Sequence, residues 1–360
     1  MWTKSRREFL RTAGMGFGAA AACSLLEAAT PNPLASKPPH ESPRAKSVIC
    51  LFMHGGVSHV DTWDPKPELA RLSGNTLPAS FVKGLKTSRI DFTKALARGA
   101  AWDFQRYGQS GTEISTLFPE IARHADELFL VRSCHGDAFD HAPAMYSLST
   151  GSQFPGKPCL GSWAVYGLGT ENQDLPAFVV MTDGAMKCGP QGYGAGYLPA
   201  VYQGTVFRAG QYPVLDLATP EGVPASAQRT TLDFINEMDR RHLASRPGDS
   251  DLEARLASYE LAFRMQATAP EAVDIGKETP ATKRLYGIGE PMTDDFGRKC
   301  LLARRLVERG VRFVQLYSGT HLGDDWDGAH SDLIGSHTKM ASKTDKPVAA
   351  LLTDLKARGL

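Results

Sequence analysis

Residues 47–53 read SVICLFM, an unbroken apolar run with β-branched members. Such a run predicts a strand buried on both faces, as in a parallel sheet covered by helices. The next stretch, HGGVSHVDTWDPKPELARL, opens with glycines and turns polar. A buried strand that empties into a glycine-rich polar loop is the pattern of an open α/β sheet. There, ligands sit beyond the carboxyl ends of the strands.

Further strands are expected at ELFLVRS (127–133), AFVVM (177–181) and VRFVQLY (311–317). Helices are expected at ISTLFPEIARHA, twice within 230–267, at DDFGRKCLLARRLVERG and from HTKMASKTDKPVAALLTDLKARGL. In the second of the 230–267 pair, Leu252, Leu256, Tyr259, Ala262 and Phe263 recur at helical spacing and predict a core-facing stripe. Gly310 suits a helix C-cap, and Pro347 suggests a kink or a fresh start. The order indicates one α/β domain over 47–360 with a mainly parallel sheet. The last helix runs to ARGL, where another strand is expected, so the reading has part of the sheet missing.

The chain has 360 residues, 42% hydrophobic and 22% charged, with 40 basic against 39 acidic groups and a net charge of +1. That balance gives no field to hold a polyanion, and nucleic acid is not an expected partner. At the N-terminus, SRREFLRTAG places Arg6 and Arg7 ahead of a weakly apolar run, GMGFGAAAACSLLEAA, and then proline-rich TPNPLASKPP. Paired arginines, a short apolar core and a small-residue tail predict a twin-arginine export signal over 1–36, cut between Ala29 and Ser36. The apolar run is too short and too rich in Gly and Ala to span a bilayer. The expected location is periplasmic or extracellular, with the twin-arginine machinery as a partner. Cys23 follows AAA, and lipid attachment there stays open. KPPHESPRAK (37–46) reads as a linker. The remaining cysteines, Cys50, Cys134, Cys159, Cys188 and Cys300, show no C-x-x-C, so a structural zinc site is not expected. At most two disulfides could form among them.

Three polar clusters each follow an expected strand. The first is His54, Ser58, His59 and Asp61. The second is His135, Asp137, Asp140 and His141. The third, in DDWDGAHSDLIGSH (324–337), holds Asp324, Asp325, Asp327, His330 and His337, with His321 just upstream. Carboxylate oxygens and imidazole nitrogens suit zinc, manganese or magnesium. Loops after parallel strands gather on one edge, so the clusters can converge. Asp327 and His330 share a face if they lie on a first helical turn. Against this, Asp325, Asp327 and Asp140 could serve as helix caps, His337 reads as a solvated surface residue, and the histidines of the first cluster could bond to backbone. Ser58 as a nucleophile needs an adjacent base or metal. The glycines of 184–196 could let backbone N–H groups approach an anion.

Several blocks, among them LFMHGGVSHVDTWDPKP, HGDAFDHAPAMYSLSTGSQFPG, SWAVYGLGTENQDLPAFVVM and WDGAHSDLIGSHTKMASKTDKPVAALLTDLKARGL, resemble the DUF1501 family from about residue 46 to the last residue. The resemblance implies the alkaline phosphatase and sulfatase superfamily: a three-layer α/β/α fold, metal ions at the carboxyl edge, and hydrolysis of phosphate or sulfate esters. It implies metal ligation by His54, Asp61, Asp327 and His330, the last two matching a W-D-x-x-H segment. The ions would be zinc, manganese, magnesium or calcium. His59, His135, Asp140 and His141 become substrate contacts, Asp140 standing where the family has Asn, and Ser58 the candidate catalytic residue. The expected substrate is an ester, such as a sulfated or phosphorylated glycan. Two departures stand against this. Family members continue into a strand, a GEFGRTP segment and a later Asp-His pair, all absent here. The formylglycine signature C-x-P-x-R is also absent, since CGPQG at Cys188 lacks its arginine. The alternatives are a non-catalytic exported binding protein on the same scaffold, or an inactive truncated fragment.

Overall fold

The computed structural model describes residues 32–360 except 85–90, 93, 209, 211, 216, 220, 247, 321–323 and 328–331. The expected export signal lies outside the described residues up to residue 31, and so do Cys23, His321 and His330. Six strands are numbered along the chain: β1 Val48–Met53, β2 Phe104–Tyr107, β3 Thr112–Ser115, β4 Phe178–Met181, β5 Thr205–Phe207 and β6 Phe313–Ser318. Four make one sheet in the order β1-β6-β4-β5, and every neighbouring pair is parallel. β2 and β3 form a separate antiparallel hairpin.

Helices cover both faces of the sheet: α1 His141–Thr150, α2 Leu160–Leu168, α3 Ala225–Ala244, α4 Ser250–Val273, α5 Asp294–Glu308 and α6 Leu333–Arg358. The two-residue alternation of a strand divides the core. Val179, Met181, Val314 and Leu316 pack with Met265 and Ala269 of α4, Leu301 and Leu306 of α5, and Leu351 of α6. Phe178, Val180, Phe313 and Tyr317 point the other way, toward Met145 of α1 and Val165 of α2. All residues of β4 and β6 are buried, which explains the apolar run of β4 and the mostly apolar sequence of β6, where Gln315 and Ser318 are the polar members. β1 is an edge strand, and Val48 and Leu51 remain exposed there. A third cluster seats the hairpin side of the molecule, Ile114, Phe118 and Ile121, on Trp326 and on Met340 of α6.

The structure corrects the sequence reading in several places. Segment 127–133 is not a strand: residues 121–127 form a 3-10 turn, and beyond it Phe129 (90% exposed) and Val131 (54%) face solvent. An apolar run becomes a strand only where a neighbour accepts its hydrogen bonds. Here Arg132 ties the segment down instead, donating to the carbonyls of Trp63 and Glu113. Ile114 and Ser115, expected in a helix, close the β2–β3 hairpin, because Pro119 keeps the helical turn from extending back to them. In α4 the buried residues are Ala254, Met265, Ala269 and Ala272. Tyr259 and Phe263 instead line a groove against Leu232 and Ile235 of α3. α6 runs through Pro347 without a break. All five cysteines among the described residues are free thiols. No described helix is long and apolar enough to cross a membrane.

Candidate functional site

The carboxyl ends of β1, β4 and β6 share one edge, and the loops leaving them meet there. His54 follows β1 directly and is fully buried. Its N–H donates to the Ser318 carbonyl at the end of β6 (3.0 Å), and its carbonyl accepts from the Trp326 N–H (2.9 Å). The first and third loops are thereby laced together through backbone.

Trp326 decides how the third loop presents its acids. Its ring is fully buried, its Nε1–H donates to Ser318 Oγ (3.0 Å), and its face lies near Phe118 and edge-on to His337. The chain bends at Asp325 and Trp326. With Trp326 directed into the core, the carboxylates of Asp325 and Asp327 both reach the same ammonium, that of Lys187. Asp325 Oδ1 accepts from the Asp327 N–H (2.9 Å), which stiffens the pair. This segment is not the first turn of α6. That helix starts at Leu333, capped by Asp332, whose carboxylate accepts from the Gly335 N–H (2.8 Å). Asp327 and His337 are therefore not on one helical face. His330 itself is outside the described residues.

The loop after β4 contributes the group that joins these residues, Lys187. Its ammonium lies 2.7 Å from Asp327 Oδ2 and 3.2 Å from Asp325 Oδ2, and 3.5 Å from His141 Nε2. His141, the first residue of α1, reaches Asp327 Oδ2 at 2.8 Å. The Lys187 backbone N–H donates to His54 Nε2 (3.0 Å). Because Nε2 accepts, the ring proton sits on Nδ1, which faces Asp325 Oδ2 at 3.7 Å. Burial works against the Lys187 charge, but the hydrogen bonds and charges of Asp327 and Asp325 outweigh it and hold its pKa above the ordinary value. The arrangement places one cation between two carboxylates, with two imidazoles around it.

The remaining sequence candidates separate from this centre. Ser58 Oγ donates to Asp61 Oδ2 (2.5 Å), and Asp61 Oδ1 accepts from the Ala101 N–H (2.6 Å). The Ser58 N–H donates to His337 Nε2 (2.9 Å). His337 is fully buried, contrary to the surface position expected for it, with Trp102 and Trp326 against its ring. Burial pushes its pKa down against the raising charge of Asp61, in keeping with an Nε2 that must accept. His59 and His135 are exposed. Asp140 is exposed at the N-cap position of α1, where its side chain makes no capping hydrogen bond.

Sequence reasoning missed Lys187, and it named Asp325 only as a cluster member or a cap. The available signal was a lysine inside the glycine-rich loop that leaves β4. On the neighbouring side of the β6 loop, a cavity of about 420 Å³ is lined by Asp183, Asp295, Ser318, Thr320, Asp324 and Lys343. Lys299 bridges Asp183 and Asp295 there, and Lys339 and Lys343 hold Asp324. Among the described residues, no three His, Cys, Asp or Glu side chains are grouped closely enough to hold a metal ion.

Compared with known proteins, residues 45–360 match the family described as protein of unknown function, DUF1501. The chain belongs to that family. No curated protein and no solved structure matches it.

Proposed function

From that membership and the geometry at the sheet edge, we propose that the chain is an exported, metal-dependent hydrolase of phosphate or sulfate esters on an alkaline phosphatase-like scaffold. The observation that supports it is the convergence of Asp325, Asp327 and His141 on one cationic point, the Lys187 ammonium, with His54 directly behind Asp325. Carboxylate oxygens and imidazole nitrogens are the usual ligands of a divalent ion, but as placed these side chains do not form a group of three able to hold one. Asp325, Asp327 and His141 would have to draw together around the ion, with His54 orienting Asp325 from outside. Once bound, such an ion supplies Lewis-acid polarisation of the ester oxygen and a more acidic water.

The chain's own residues prepare this centre. Buried Trp326 fixes the direction of both carboxylates, and the His54 backbone pairs fix their height above the sheet. The adjoining cavity, with Lys343 and Thr320 on its wall, offers donors for the anionic part of an ester. A second reading, a non-catalytic binding protein, draws on Lys187 itself, because the two carboxylates are already charge-paired without an ion.

The deciding experiment measures metal content of the purified chain by mass spectrometry. Hydrolysis of p-nitrophenyl phosphate and p-nitrophenyl sulfate is then followed with added Zn²⁺, Mn²⁺, Mg²⁺ or Ca²⁺, and after chelation. Turnover of one ester that chelation and Asp327→Asn both abolish is expected. Folded protein that takes up no ion and cleaves neither ester would leave the binding-protein reading.

A further inference from the structure

We propose that the outer face of α2, with the loops beside it, is a docking surface for a bilayer of anionic lipids. Nothing in this depends on the chemistry of the sheet edge. The starting point is a helix without charge: α2 reads LGSWAVYGL, with no acidic or basic member. Its inner positions Gly161, Ser162 and Val165 are buried. A surface helix ordinarily turns a polar stripe to water. Here the outward positions are Leu160 (59% exposed), Trp163 (41%) and Tyr166 (39%). Trp163 stands edge-on to Tyr166, with ring centroids 5.8 Å apart, and to Tyr197 of the loop after β4, at 6.1 Å. A lysine closes the row at each end. Lys157 Nζ lies 5.6 Å from the Tyr197 centroid, and Lys37 Nζ lies 5.2 Å from that of Tyr166, both within cation–π range. The result is one connected line of cation, three rings and cation. Phe154, three residues before Lys157, is 76% exposed.

Charge identifies what such a surface meets. The chain carries 39 acidic residues in 360, yet none occurs from 141 to 170, the stretch that makes α1, α2 and the loop between them. None occurs from 184 to 208, which leaves β4 and runs through β5, and none from 32 to 40, the segment that brings in Lys37. This side of the molecule is therefore built without carboxylates while its lysines remain. Connected, exposed apolar surface marks a partner or a membrane. Trp and Tyr rings settle at the headgroup level of a bilayer, apolar tips enter the acyl boundary, and lysines meet anionic headgroups. A glycan is the poorer fit. Sugar hydroxyls donate hydrogen bonds, ionised carboxylates are their strongest acceptors, and these stretches supply none. Phe154 and Leu160 offer a sugar nothing polar to bind.

The test is sedimentation of the full chain with vesicles of phosphatidylcholine alone, and of two parts phosphatidylcholine to one part phosphatidylglycerol. Binding to the second vesicle, little to the first, and a loss as salt is raised are expected, since exposed charges are screened. One lysine near such a surface is worth roughly a fivefold gain in partition, so Lys37→Gln and Lys157→Gln should each lose about that factor. Leu160→Asp should lose binding altogether. An acid in the first turn of α2 suits the helix dipole, so the fold is kept, which circular dichroism checks. Tryptophan emission should shift to the blue on binding, and Trp163→Phe should bind with most of that shift gone. Full binding by Leu160→Asp overturns the proposal, because another part of the chain is then the anchor. Equal binding to both vesicles overturns the anionic requirement and the proposal with it. Binding to soluble dextran sulfate but to neither vesicle overturns it in favour of an anionic glycan. Binding to none of the three overturns it as well.

Discussion

Replacing Gly55 by alanine tests the seam between the first and third loops. Gly55 has φ +111°, and a Cβ placed on it would lie 2.8 Å from the Asp327 nitrogen, 2.9 Å from Asp325 Cγ and 3.0 Å from the Trp326 nitrogen. Two costs add. A left-handed backbone costs a side-chain-bearing residue about 1–3 kcal/mol. Overpacking against the two backbone nitrogens, which cannot rotate away, costs about 1–3 kcal/mol more. Gly56 separates the two: its φ is +105°, yet a Cβ there meets nothing within 4 Å. Gly56→Ala therefore carries only the backbone cost, and Gly55→Ala carries both. For a chain of 360 residues, unfolding entropy of roughly 2.1 cal/mol/K per residue makes 1 kcal/mol worth about 1.3 °C. Gly56→Ala should lower Tm by about 1–4 °C and Gly55→Ala by about 3–8 °C in calorimetry. The contact also bears on the site, since a Cβ at 55 pushes Asp325 and Asp327 away from His54. Ester turnover and ion affinity should fall in Gly55→Ala and hold in Gly56→Ala. Equal Tm values and equal ion affinities for the two variants would refute the close approach of His54 to Asp325–Asp327, and with it the site.

His337 predicts a pH dependence. Its folded pKa is pushed below 6.5 by burial, against the charge of Asp61. The unfolded chain therefore takes up this proton first, so the stability that neutral His337 provides is complete above about pH 6.5 and is lost as the pH falls through the folded value. Urea midpoints between pH 7.5 and 5 should drop more steeply for the native chain than for His337→Gln, and parallel slopes would count against a neutral buried imidazole. Arg304 is fully buried, with Glu278 at 2.7 Å, Glu308 at 2.6 Å and Asp354 at 3.0 Å. Removing one partner of a buried ion network costs about 3–5 kcal/mol. Arg304→Met should fall near the low end, because Arg305 also holds Glu278, lowering Tm by roughly 4 °C. A smaller loss than about 1 °C by calorimetry would mean that this hub does not brace α5 against α6.

How far the sequence could be read depended on the range of the interaction concerned. The strands at 178–181 and 313–318 were legible because full burial leaves mostly apolar residues in the sequence itself, whereas 48–53 has the same apolar composition but is an edge strand with Val48 and Leu51 exposed, not the doubly buried strand expected. The parallel order then placed ligand chemistry at the carboxyl edge, which is where His54, Asp327 and His141 come together. The 127–133 run had the same local composition as a strand, but its state depended on whether a neighbouring strand would accept its backbone groups.

An α/β chain with a parallel sheet, and with the first and third of its polar clusters in loops after strands, was already written in the order of the amino acids, because hydrophobic periodicity and turn chemistry act over a few residues; the second cluster follows no strand, since 127–133 is not one. Three features emerged only when the chain packed: His337 is buried, Asp325 and Asp327 converge, and Lys187 stands between them. Lys187 and Asp327 are 140 positions apart. A contact of that range arises from how three loops pack above one sheet edge, and no local pattern encodes it.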